Sequence, residues 1–538
     1  MVRMIFPRGA LLTVVAMLAL SWRAPALADA ARDGPAGEVA TPALVVLITV
    51  DQMRADYLDR FGPQLTGGLG RLVTEGARFT DAHQDHAITE TAPGHATLLS
   101  GREPRSTGIV SNWEGVEDDQ QPLLDGAPGE GASPARFRGT VLIDWLQARD
   151  RRARQLSVAG KDRGAILPAG RSRSLVYWYA ENGRFTTSRY YADRLPDWVT
   201  GFNDRGVARR LAGQRWTLLL PDSAYPEADD VAIEGAGRDN VFPHLLSADS
   251  AQVTTQLRGT PFLDGIVLDF ALDGLQAVGL GRGPRTDVLS ISLSSTDAIG
   301  HRFGPDSREM HDQILRLDRA LGGFLDSLYR LRAPESVLVV LTADHGIGTI
   351  PELAPPDVQP MPTRLDPDQA VRPVREALAA RAADPDALYF DGRLLIALDR
   401  KGWGRVGVSA DSVLAVTADL LRSTKGVQRV DRFADLARRD LTADTIARRW
   451  VRQLPAPSPV DYVVTLTPLS LATRQLSTHG SPHDYDTHVP LIFHGAGIRA
   501  GTRTGFVRTV DIAPTLADML GVRPTERLDG ESLRKQLR

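Results

Sequence analysis

Three aspartates and three histidines, far apart along the chain, stand at or just beyond the ends of apolar runs. Asp51 follows ALVVLITV, Asp297 closes VLSISLSST, and Asp344 with His345 ends VLVVLTA. His301 comes four residues after Asp297, and His479 opens HGSPHDYDTHVP. Carboxylates mixed with imidazoles are ligands for divalent transition metals, and a chain without cysteine offers no thiolate. Such a set favours Zn²⁺ over Mn²⁺ or Fe²⁺ and suits Ca²⁺ poorly. A lone aspartate after a strand is usually a cap or a surface group. Several at strand ends, two of them with a partner histidine, point to a two-metal site.

A nucleophile candidate lies in ITETAPGHATLLSG. Pro93 suits the first turn of a helix through Ala96, Thr97 and Leu98, where its missing N–H is not needed. Thr91 then stands at the helix N-terminus, where free N–H groups and the helix dipole favour an anion. A threonine hydroxyl is a weak nucleophile unless a metal lowers its pKa. Without the metal residues Thr91 reads as a helix cap; with them it reads as a nucleophile. Thr97 and Ser100 are weaker candidates because they lie further into the helix.

Runs of Val, Ile and Leu without polar alternation read as strands buried on both faces of a parallel sheet. The strand signals are Ala43–Val50, Gln155–Val158, Val288–Ser294, Ser336–Thr342 and Val489–Phe493. Between the third and fourth of these runs, Met310 to Tyr329 spaces Ile314, Leu317, Leu321, Leu325 and Leu328 as a helix does. The alternation predicts an α/β fold, a doubly wound and mostly parallel sheet sandwiched by helices, with ligands at the carboxyl ends of the strands. Asp297 and His301, at i and i+4, share a face if that stretch is helical. The glycines of His345-Gly346-Ile347-Gly348 permit a turn that aims both Asp344 and His345 inward. Residues from about 175 to 284 and from 353 to 459 read as inserted cap elements. The first contains Tyr177-Trp178-Tyr179 and Phe185 around Asn182-Gly183, a hairpin signal expected to border the leaving-group side.

The chain has 538 residues, 42 % apolar and 24 % charged, which is ordinary for a globular protein. Its formal net charge of −3 offers no footprint for nucleic acid. Arg438-Arg439 and Arg448-Arg449 read as solvated helix faces. Residues 1–28 read as a signal peptide: Arg3 and Arg8 precede an apolar stretch from Ala10 to Leu20, and Ala26-Leu27-Ala28 offers a cleavage site. That stretch is shorter than the roughly 20 residues a membrane span needs. Residues 29–41 read as a flexible mature N-terminus, and 42–538 as the catalytic domain of an exported, periplasmic or secreted protein that no membrane retains.

Together LITVDQMR, TETAPGHATLLSG, STDAIGHRFGPDS, TADHG and HGSPHDYDTHVPLIFHG resemble the alkaline phosphatase superfamily. The resemblance, from about residue 43 to VDIAPTLADMLG, is to the phosphate-irrepressible, single-chain alkaline phosphatases with a threonine nucleophile. It implies two Zn²⁺ per chain, one on Asp51, Thr91, Asp344 and His345, the other on Asp297, His301 and His479. It makes Asn112, in GIVSNWEG, a contact to a phosphoryl oxygen. It makes Lys161 and Arg163, in VAGKDRGAI, the Lys-x-Arg pair of the monoesterases. At i and i+2 of an extended segment these two project to one side, where they could clamp the oxygens a monoester leaves uncovered. The expected substrates are small phosphate monoesters, cleaved through a phosphothreonine. Structural Ca²⁺ has no support in the sequence, and oligomeric state is open.

His95 falls inside the helix and reads as structural. His483 reads as a group behind the ligands, and His488 competes with His479 for the ligand role. The rival readings are a phosphodiesterase or nucleotide pyrophosphatase with the same metals, and a non-catalytic periplasmic metal- or phosphate-binding protein. A sulfatase would need a C/S-x-P-x-R setting, which TAPGH is not.

Overall fold

The computed structural model describes residues 41–113 and 115–538. The expected signal peptide, and all of the 29–41 stretch but Thr41, lie outside them. In chain order the strands of the main sheet are β1 (Leu44–Val50), β2 (Ala77–Phe79), β3 (Gln155–Ala159), β4 (Leu175–Tyr179), β5 (Phe185–Thr186), β6 (Asp287–Leu293) and β7 (Val337–Thr342). A second sheet takes β8 (Leu388–Phe390), β9 (Leu394–Ala397), β10 (Val427–Arg432) and β11 (Tyr462–Leu466). The main sheet is completed by β12 (Leu491–Gly495) and β13 (Gly501–Arg503), in the order β13-β2-β12-β7-β1-β6-β3-β4-β5.

The four strands β7, β1, β6 and β3 and their neighbour β4 run parallel, while β12 and β5 run antiparallel to the strands beside them. Every residue of β1, β6 and β7 is buried. Alternate residues of β1 serve two cores: Val46 and Ile48 face one, Val45 and Leu47 the other. That double burial explains why the sequence shows no polar alternation. The helices used below are α1 (Thr91–Leu98), α2 (Asp162–Ile166), α3 (Phe262–Val278), α4 (Ser295–Phe303), α5 (Arg308–Leu331) and α6 (Thr445–Gln453). Helices α3 and α5 cover the first face and α1 the second. Helix α5 buries Ile314, Leu317, Leu321, Leu325 and Leu328, and Ser307 caps it by accepting from Met310 N–H.

Register brings the strand ends level. Thr49 lies opposite both Thr342 and Ser292, and Ser292 opposite Ala159. Asp51, Asp344, α4 and Lys161 therefore leave the sheet at one edge, the crevice side of an open α/β sheet.

Two expectations need correction. Residues 175–284 are not cap material throughout: β4 and β5 extend the main sheet, and α3 packs across it. Tyr177, Tyr179 and Phe185 are core residues, Phe185 stacked on Phe270 at 3.8 Å, because aromatics of this size stabilise most when fully buried. Residues 365–466, by contrast, build the second sheet and a core of their own. Arg448 and Arg449 do not face solvent. On α6 they ion-pair, with Arg452, to the fully buried Asp85, a carboxylate that desolvation would otherwise penalise. No helix among the described residues is long and apolar enough to cross a membrane.

Candidate active site

At the sheet edge two ligand groups meet. Asp51, Asp344 and His345 offer atoms within 4.8 Å of one another, and so do Asp297, His345 and His479. His301 joins the second group, its Nε2 3.3 Å from Asp297 Oδ1 across one turn of α4. Asp51, Asp344 and His345 have no exposed surface, and Asp297 is 6 % exposed.

The three imidazoles are held alike. His301 Nδ1–H donates to Ser477 O at 2.8 Å, His345 Nδ1–H to Gly346 O at 3.0 Å, and His479 Nδ1–H to Thr89 O at 2.7 Å. A carbonyl can only accept, so each Nδ1 carries the proton and each Nε2 is left as the ligand atom. Those Nε2 atoms point at carboxylates: His345 lies 3.5 Å from Asp51 Oδ1, and His479 3.6 Å from Asp297 Oδ1. Burial pulls the His345 imidazole down to about 3, which keeps it neutral as a ligand must be.

The donors fit transition-metal cations. Asp51 Oδ1 is buried with no hydrogen-bond partner. Burial, then the charges of Asp297 and Asp344, push the Asp51 carboxyl well above its ordinary range, so the pocket calls for positive charge. Lys161 answers part of that: its Nζ lies 2.6 Å from Asp51 Oδ2 and 2.6 Å from Asp297 Oδ2, bridging the two groups.

Thr91 is the first residue of α1 and 1 % exposed, with Oγ1 3.5 Å from His345 Nε2. Gly94 lets α1 approach this closely, since a Cβ there would stand 2.2 Å from the Asp344 carbonyl oxygen. His95 braces the same contact, Nδ1 lying 3.0 Å from Asp344 Oδ2 and Nε2 2.8 Å from Ser292 Oγ. Gly346 proves to be a matter of crowding rather than of turn freedom: a Cβ there would meet Tyr485 O at 2.2 Å. Asn112 Oδ1 accepts from Ala92 N–H at 2.9 Å, which leaves its amide NH₂ free to donate.

The Lys-x-Arg pair differs from expectation. Lys161 is extended, but α2 begins at Asp162, so Arg163 lies in a helical turn and not two residues along a strand. Its Nη1 is 3.5 Å from Asp162 Oδ1, and its Nε is buried without a partner. Both cations line a cavity of about 290 Å³ with Tyr179 and Arg258. A larger cavity, about 530 Å³, opens beside His479 and Gly480 and is walled by Trp113, Arg393, Leu471 and Tyr485. Trp113 is 89 % exposed at its rim.

His488 is not in either ligand group. Its Nε2 donates to Thr80 O at 2.9 Å and its ring stacks on His83. His483 Nε2 donates to Leu466 O. Thr97 and Ser100 bond back to the α1 backbone, at Gly94 O and Ala96 O. Gln52 was not foreseen. It adopts φ 68°, a left-handed conformation rare outside glycine, and its N–H donates to Asp344 Oδ1 while its Nε2 donates to Asp297 Oδ1 at 2.7 Å. The run VDQMR gives only a polar residue after a strand end as a signal.

Residues 45–365 match the type I phosphodiesterase / nucleotide pyrophosphatase family. The chain belongs to that family. Within it, the chain is 30 % identical over 523 residues to alkaline phosphatase PafA of Elizabethkingia meningoseptica, covering 90 % of this chain and 92 % of that one. It is 31 % identical over 521 residues to alkaline phosphatase PhoK of a Sphingomonas species, covering 91 % of each. The crystal structure of wild-type PafA matches the fold with a TM-score of 0.82 at 27 % identity, covering 93 % of this chain and 99 % of that one. The family's mixed, largely parallel sheet flanked by helices is the architecture described above.

Proposed function

We propose that this chain, a phosphoric monoester hydrolase, moves the phosphoryl group first to Thr91 and then to water. Two Zn²⁺ would be held by Asp51, Thr91, Asp344 and His345, and by Asp297, His301 and His479. Zinc, when bound, supplies the Lewis acidity that makes a threonine hydroxyl nucleophilic near neutral pH. The observation that carries the reading is Thr91 Oγ1 at the head of α1, 3.5 Å from the imidazole common to both ligand groups.

In the first step Thr91 Oγ1 forms a bond to phosphorus as the bond to the leaving alcohol oxygen breaks, in line with it. The N–H groups at the start of α1, the Asn112 amide and the Lys161 and Arg163 cations take up charge on the phosphoryl oxygens. The 530 Å³ cavity beside His479 receives the leaving alcohol. In the second step water displaces Thr91 Oγ1, releasing inorganic phosphate and restoring the hydroxyl. Acid quenching during turnover, followed by mass spectrometry, should find phosphate on the Thr91 peptide. Unmodified Thr91 throughout a pre-steady-state burst would count against the covalent route.

Lys161 and Arg163 divide monoesters from diesters, because a diester has one charged oxygen fewer to be held. Lys161→Ala with Arg163→Ala should cut kcat/KM for an aryl monoester by about 10³-fold, the loss typical of charge-stabilising donors, and that for a bis-aryl diester far less. Equal losses on both substrates would remove the clamp from the explanation. We propose export with cleavage after Ala28; Edman sequencing of the mature protein should begin at Asp29, and any other start would place the cut elsewhere.

A further inference from the structure

The inserted unit that carries the second sheet and α6 reaches the segments beside the site at two points, and both fall on the same pair of segments. One segment, Ile88 to Ala92, carries Thr91; the other, Val110 to Asn112, carries the amide next to it. Gln453, the last residue of α6 and fully buried, accepts from Ile88 N–H at 2.8 Å and donates from Nε2 to Val110 O at 2.6 Å. Two residues further along each segment, Arg393 Nη1 donates to Glu90 Oε1 at 2.7 Å, and Glu90 Oε2 accepts from Asn112 N–H at 2.7 Å. Ala92 N–H to Asn112 Oδ1 closes the ladder. Arg393 is itself fixed in the turn between β8 and β9, where Asp391 Oδ1 accepts from its N–H and from Leu394 N–H. The guanidinium of Arg393 and the carboxylate of Glu90, 2.7 Å apart, form a charge-assisted hydrogen bond.

We propose that the inserted unit acts as a two-point clamp, through Gln453 and the Arg393–Glu90 pair, that sets the distance between the nucleophile Thr91 and the Asn112 amide. The proposal rests on the roles given above to Thr91 and Asn112. Neither Gln453 nor Arg393 touches the reacting atoms; both are positioning residues. Glu90 and Asn112 are 22 residues apart in sequence, and these hydrogen bonds tie the two loops together. A displacement of about 1 Å at such a site can cost 10²-fold in rate.

The test is a double-mutant cycle combined with amide exchange on the metal-loaded enzyme. Arg393→Ala and Gln453→Leu should each lower kcat for an aryl monoester by about 10- to 100-fold, with KM nearly unchanged. Arg393→Lys, which keeps the charge, should recover most of the loss and serves if the alanine variant fails to fold. Combined with Asn112→Ala, Arg393→Ala should slow the enzyme no further, because it acts through Asn112. Exchange of the Asn112 and Ile88 amide protons should quicken in Arg393→Ala and Gln453→Leu respectively. Faster exchange with an unaltered kcat would overturn the clamp and leave the inserted unit as packing alone, as would losses that multiply with Asn112→Ala. A fully active Asn112→Ala enzyme would overturn the clamp by a different route, discarding the Asn112 role it rests on while leaving that of Thr91 in place.

Discussion

Thr91→Ala is expected to lower kcat/KM for phosphate monoesters by about 10⁴-fold or more, the scale on which covalent catalysts lose their nucleophile. Thr97 and Ser100, the other hydroxyls of this segment, do not replace it, since both bond back to the α1 backbone. Thr91→Ser keeps Oγ and removes one methyl from a buried site, so it should stay within about tenfold of the parent, in keeping with the small free energy of one methyl group. The alanine variant should still take up two metals and still bind inorganic phosphate, since Asn112, Lys161 and Arg163 remain. Steady-state rates for the pair of variants, with phosphate titrations by calorimetry, check this. A Thr91→Ala enzyme of undiminished activity would end the nucleophile assignment.

Metal removal should abolish turnover and also change stability. Asp51, Asp297 and Asp344 converge at the sheet edge with three imidazoles anchored through Nδ1, and the Lys161 ammonium bridges the two groups. Chelation should therefore lower Tm, and a metal held at 1,000 times its Kd stabilises by about 4 kcal/mol. Lys161→Ala should lower Tm more in the chelated protein than in the loaded one. The pH dependence has a definite sign. Burial pulls the His479 imidazole down, but its hydrogen bond to Asp297 and that carboxylate's charge outweigh burial and raise it above 6.5. A proton at Nε2 then competes with metal from a higher pH than at an ordinary imidazole, so loading and activity fall as pH is lowered through that range and recover as it rises. Metal content by mass spectrometry, followed with Tm and rate across pH, checks all three. Two zinc ions per chain are expected, and a loaded protein with a single ion or another metal would revise the ligand sets.

Much of the fold was legible because parallel strands buried on both faces leave a plain mark. The LVVLITV, DVLSISL and VLVVLT runs have no polar alternation, and each hands its chain on to an acidic residue at the same edge. Asp297 and His301 were legible as a pair because a helix makes i and i+4 neighbours. The misreadings share one cause, which is pairing between residues distant in sequence. Residues 175–284 look irregular along the chain, yet β4 and α3 find their core against β3, β6 and α5. Arg448 and Arg449 read as surface until Asp85, more than 360 residues away, is placed beside them. Gln52 left only the mark of a polar residue after a strand end, and Glu90, Arg393 and Gln453 left no local signal: amides, a carboxylate and a guanidinium acquire meaning only when the fold sets them opposite their partners. Lys161 and Arg163 show the converse, where a legible spacing met a helix start that turned one of the two side chains.

The anchoring of all three imidazoles by main-chain carbonyls has a consequence for how this site can drift and be engineered. A side-chain anchor is lost by one codon change, whereas a carbonyl is supplied by whatever residue occupies the position. The tautomers of His479 and His301 thus do not depend on the side chains at 89 and 477, although the buried hydroxyls of Thr89 and Ser477 hold Ser481 O and Gly348 O. Position 346 is closed to any side chain by the Tyr485 carbonyl. Libraries that seek a different metal preference gain little at these anchors. They have more to gain at Gln52 and His95, the side chains that hold the carboxylates instead.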